Sequence, residues 1–70
     1  MTGIEFKMLR HAAGLTQQQL ADRSSVNISL IRKLEGGTAD ICNIAAKNLI
    51  ALADALDTDP HDLIREVQNG

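Results

Sequence analysis

Apolar residues recur at intervals of three and four along most of the chain, the spacing of one face of a helix. The first such run is opened by Thr2-Gly3-Ile4-Glu5, the spacing of a capping box, and predicts a helix to about Ala13 that stops at Gly14. Phe6, Leu9 and Ala13 share its inward side, while Ile4, Met8 and His11 line the other, a stripe expected to lie partly under the C-terminal residues, with a partner surface as the alternative. Thr16 can cap a second helix whose inward side is Leu20 with Ala21. Ser24-Ser25-Val26 supply a break, and Asn27 is a good N-cap for a third helix. At about 100° per residue, Ile31, Leu34 and Leu30 fall on one face of that helix and Ile28, Ser29, Arg32 and Lys33 on the other.

Beyond Gly36-Gly37, which ends the third helix, Thr38 to about Asn43 reads as a connecting loop. A fourth helix is expected from around Ile44 to Leu56, with Ala45, Leu49, Leu52, Ala53 and Leu56 on its packed side. Asp59 caps a short fifth helix, with Pro60 at its first position, where no amide donor is needed. Leu63 and Ile64 would close the core, and Gln68 to Gly70 are expected to fray. The chain thus reads as one all-helical domain of five short helices over residues 1–70, without repeat, low-complexity tract or linker.

The segment from about 16 to 35 carries the functional signal. Two short helices joined by a three-residue break, with the small Ala21 where the axes must cross closely, form a helix-turn-helix, a geometry that presents its second helix to the DNA major groove. Leu15-Thr16-Gln17, then Leu20-Ala21, Val26, Ile31 and Leu34-Glu35, resembles the phage Cro/repressor-type (XRE-like) helix-turn-helix family, and the likeness extends over roughly residues 4 to 65. The resemblance implies a lambda-repressor-like DNA-binding domain, and it implies that Arg10 and Glu35 pair to orient the third helix. Two places depart from the family pattern. Ser25 stands where the family usually has Gly, at a cost of about 1 kcal/mol if the backbone there is left-handed. The loop after Gly37 is longer than usual and carries no Lys or Arg, which weakens the case for phosphate contacts from that loop.

Composition constrains this reading more than it redirects it. Seventy residues hold one modest core and leave no room for a separate sensor or catalytic domain. The net charge of −2 runs against a nucleic-acid binder, but residues 1–50 carry six Lys/Arg against four Asp/Glu, and residues 51–70 one Arg against five acids. Few phosphate contacts and a shallow salt dependence are therefore expected. The single Cys42 excludes an intrachain disulfide, no apolar run reaches membrane-spanning length, and no signal-peptide pattern opens the chain, so a cytoplasmic protein is expected.

Among the candidates for base reading, Arg32 and Lys33 lie on the outward face of the third helix, and Ile28 there can pack on a thymine methyl or serve as a peripheral core contact. Ser29 can bond a base or a phosphate. Gln17, at the positive end of the second helix, is the first candidate for a DNA backbone contact, with Gln18 and Asn27 behind it. His11, His61 and Cys42 do not have metal-ligand spacing, no catalytic constellation is present, and no cofactor is implied. The expected partner is double-stranded DNA, bound by a homodimer formed at least on DNA through the end of helix four, the loop before helix five, Ile64 and Val67. The alternative is a protein-interaction module, such as an antitoxin-like protein of a small operon, whose acidic C-terminal half meets a basic partner.

Overall fold

The structure, a computed structural model, describes residues 2–63, all of whose regular structure is helical. In order, the elements are α1 (Gly3–Ala12), α2 (Gln17–Ser24), α3 (Ile28–Gly36), a single 3₁₀ turn at Ile41–Asn43 and α4 (Ala46–Ala55). A fifth helical segment occupies 60–63. Ile64, Val67 and the expected fraying at 68–70 lie outside the described residues, as does any C-terminal cover over Ile4, Met8 and His11.

Local chemistry sets the helix starts. On α1 the capping box is complete: the Glu5 amide donates to Thr2 Oγ1 and the Thr2 amide to Glu5 Oε1. The same box recurs on α2, between Thr16 and Gln19, where the T-x-x-Q pattern adds a second bond to the expected threonine cap. Asn27 caps α3 by accepting from the Ser29 amide at 2.8 Å. Asp59 does the same for the last segment through the His61 amide.

Ser25 is left-handed, at φ 60° and ψ 21°, the conformation in which Gly carries no steric cost. Ser24 is helical and buried rather than part of the break. Its hydroxyl donates to the Leu20 carbonyl at 2.7 Å and accepts from the Val26 amide at 3.2 Å, tying the end of α2 to the turn that follows.

The core is a single aliphatic cluster around Phe6, with Leu20, Ile31, Leu52 and Leu63 fully enclosed. α3 packs against both α1 and α2, and α2 also packs on α4, so the third helix rests on the first two. Besides Ser24, two positions and one segment differ from expectation. Ala13 is exposed, because α1 ends one residue earlier and the chain leaves its axis at the left-handed Gly14. Ala45 is an exposed N-cap rather than a packed helical residue: Ile44 and Ala45 are both extended, so α4 begins at Ala46. The 38–43 segment is more than a connection, since Asp40 accepts from the Cys42 amide and holds a turn that buries Ile41 in the core.

Ser25→Gly should raise stability by about 0.5–1 kcal/mol, because it removes the left-handed penalty at an exposed site. Ala21→Leu should lower it by about 1–3 kcal/mol through overpacking of a buried position in the cluster. Thermal unfolding of the two variants beside the parent protein checks both signs, and a clear loss in Ser25→Gly would contradict the turn described.

Candidate nucleic-acid interface

On α3 the inward arc is set by Ile31 and Leu34, both buried. Ser29, Arg32 and Lys33 lie opposite and are exposed. Ile28 sits about 90° from the centre of the inward arc, and it is accordingly half-buried and packed against the core. Of the two readings open for Ile28, the peripheral core contact is thus present, and part of the side chain remains outward.

The ion pair is well defined. Arg10 Nε donates to Glu35 Oε2 at 2.7 Å and Nη2 to Oε1 at 3.0 Å, while Nη1 reaches the Leu15 carbonyl at 2.8 Å. The two side chains are only 7% and 6% exposed, so each charge depends on the other for solvation. Burial alone would push the Glu35 carboxyl up, but hydrogen bonds from Arg10 and Gln17, with the charges of Arg10 and Lys7, hold it below the ordinary carboxylate range.

Gln17 is where the expected picture changes most. Its side-chain amide donates to Glu35 Oε1 at 3.1 Å, and the residue is half-buried. The side chain is therefore built into the pair rather than projecting freely toward a phosphate, although its position in the first turn of α2 is as expected. Gln18 bonds Asp22 along its own helix at 3.0 Å and is exposed. Asn27 spends its side-chain oxygen on the cap of α3.

These parts converge on one open groove. Its lining combines Thr16, Gln17 and Gln18 from the start of α2 with Ile28 and Arg32 from α3, and with Arg10 and Lys7 from α1. Ser29 and Lys33 lie on the exposed face of α3 but do not line it. Lys7 was not singled out from the sequence. The signal that finds it is its place three residues before Arg10, on the same side of α1.

A model of a helix-turn-helix domain matches residues 3–66. The chain belongs to the helix-turn-helix domain family. A solved structure, the restriction-modification controller protein C.AhdI from Aeromonas hydrophila, is 36% identical in sequence and superposes with a TM-score of 0.74, covering 87% of this chain and 88% of that one. No curated protein matches the chain. The five-helix architecture and the Cro/repressor-type likeness expected from the sequence both stand, and the chain is a DNA-binding transcriptional regulator. No helix among the described residues is long and apolar enough to cross a membrane.

A carboxyl whose pKa is depressed by folding contributes stability that is fully present above its unfolded value, about 4.3, and is lost as pH falls through the lower folded value. Glu35→Gln should therefore cost about 3 kcal/mol at neutral pH by leaving Arg10 buried without its counter-ion. The same variant should lose less further stability than the parent between about pH 5 and pH 2. Some slope remains from Glu5, whose carboxyl is also lowered by hydrogen bonds from Thr2. Urea titrations across that range give both numbers.

Proposed function

We propose that this protein is a sequence-specific regulator that reads a pseudo-palindromic operator as a dimer, most simply a repressor that occludes a promoter. Its third helix enters the major groove, with Arg32, Lys33, Ser29 and the outward part of Ile28 facing base edges. The observation that carries the proposal is the pair of exposed cations on α3, directly opposite buried Ile31 and Leu34, on a helix tied to both α1 and the start of α2 through Glu35. Such a helix presents its polar face in a fixed direction, which base readout requires.

Phosphate contacts fall to the groove beside it: Lys7, the first-turn backbone amides of α2 and the amide groups of Gln17 and Gln18. Gln17 can give a phosphate only the donor that Glu35 leaves over. A role in regulation rather than in catalysis is supported by the similarity to a protein named as a restriction-modification controller. The cytoplasm, where DNA is reached, is the proposed location.

Replacing both Arg32 and Lys33 by Ala should weaken operator binding while leaving thermal stability nearly unchanged, since both side chains are exposed. Loss of a base contact should narrow discrimination between sites by about 1–3 kcal/mol, whereas loss of a phosphate contact lowers affinity for all sequences and reduces the salt slope by about 1. Titration of labelled operator and of unrelated duplex at several salt concentrations measures the difference, and unchanged binding in the double variant removes this face from the proposal.

One recognition helix spans few base pairs, and so few cations hold a single protomer weakly at cellular salt. Two protomers should therefore occupy each operator, with half-site centres about 34–36 Å apart. Sedimentation with and without an operator fragment decides it, and a one-to-one complex with full affinity for an isolated half-site contradicts dimeric binding.

A further inference from the structure

Gly3, Phe6 and Arg10 fall on one face of α1, at i, i+3 and i+7. Two of these three meet residue 35. Arg10 grips the Glu35 carboxylate, and at the other end of the helix Gly3 lies against the backbone of α3 itself. A Cβ at Gly3 would fall on the Glu35 carbonyl oxygen, 2.7 Å from the Leu34 carbonyl oxygen and 2.9 Å from the Glu35 carbonyl carbon. All three are main-chain atoms of α3, so no side-chain rotation relieves the collision.

We infer that Gly3 is a positioning residue for DNA reading: the absence of a side chain there lets the first turn of α1 seat directly on the last turn of α3 and fixes the tilt of the recognition helix. The contact is chemically favourable as it stands. The positive end of the α1 dipole meets the negative end of α3, and a glycine Cα–H points where the Cβ would lie, at a carbonyl oxygen. Together with Arg10, Gly3 makes a two-point clamp on residue 35, one point gripping its carboxylate and the other abutting its carbonyl. The side-chain pair alone can reorient by rotation about the side-chain bonds of Arg10 and Glu35; the backbone contact at Gly3, seven residues before Arg10 on α1, sets how closely the last turn of α3 approaches that helix.

This inference rests on the reading of α3 as the base-reading helix, and its test separates the two. Gly3→Ala is compared with Thr2→Ala, which removes the cap of the same helix without adding an atom against α3. Gly3→Ala should reduce affinity for the operator about tenfold or more, the size of one lost base contact, while affinity for unrelated duplex changes little. Thr2→Ala should lower thermal stability and leave the ratio of the two affinities unchanged. Without DNA, the Arg10 Nε–H resonance, set by its bond to Glu35, should shift in Gly3→Ala and stay in place in Thr2→Ala.

If Gly3→Ala fails to fold, a synthetic chain with D-alanine at position 3 keeps the question open to test, because the methyl then replaces the other hydrogen and points away from Glu35. That chain should fold and discriminate like the parent. Parental discrimination by Gly3→Ala, or equal failure of the L- and D-alanine chains, overturns the role of Gly3. A parent protein with no operator preference overturns instead the reading of α3, and the Arg10 resonance still reports on the clamp.

Discussion

A single carboxylate joins the first three helices. Glu35 on α3 accepts from Arg10 on α1 and from Gln17 on α2, while Arg10 also holds the Leu15 carbonyl between those two helices. Taking two charges out of water costs more than such a pair usually returns, so its contribution is better sought in direction than in net stability. The core around it is aliphatic apart from Phe6, and apolar contact has no preferred orientation beyond shape. A planar guanidinium fork closing on both oxygens of one carboxylate does. The exposed face of α3 can point one way because this pair does not slide.

The rest of the domain is arranged to keep that constraint inexpensive. A chain of this length has little stability to spare, and orphan backbone groups at helix ends would consume it. Side chains satisfy the starts of α1, α2 and α3, and Ser24 closes the end of α2 from inside the core. α4 has no side-chain cap, and it packs chiefly on α2, whereas α3 packs on both α1 and α2.

Charge follows the same division. The net charge is negative, yet the cations Lys7, Arg10 and Arg32 line one groove with the positive end of α2, and Asp54 and Asp57 stand with Arg23 at another. The sum over the chain is thus a poor guide to the field at the interface, which depends on the nearest few charges once salt has screened the rest.

What the sequence determined by itself was whatever is settled within about one turn of chain. The Thr2–Glu5 box, the Thr16 and Asn27 caps and the exposed Ser29, Arg32 and Lys33 on α3 are governed by neighbours within about four positions, and they were legible for that reason, whereas the left-handed backbone at Ser25 was suggested only by the family resemblance. The packed faces of α3 followed from periodicity alone. Tertiary structure decided what depends on a distant partner or on where a helix axis stops. Ala13 had the right period for burial, but the helix ended before it; Ala45 lay before the first turn of α4; Ile41, outside any helical run, entered the core because the turn capped by Asp40 aimed it there. Gln17 had the position of a phosphate contact and was drawn instead to Glu35, eighteen residues on. At Gly3 the sequence showed only a small residue inside a capping box. That no side chain fits there is a property of α3 crossing it, thirty residues later in the chain, and only the packed fold could show it.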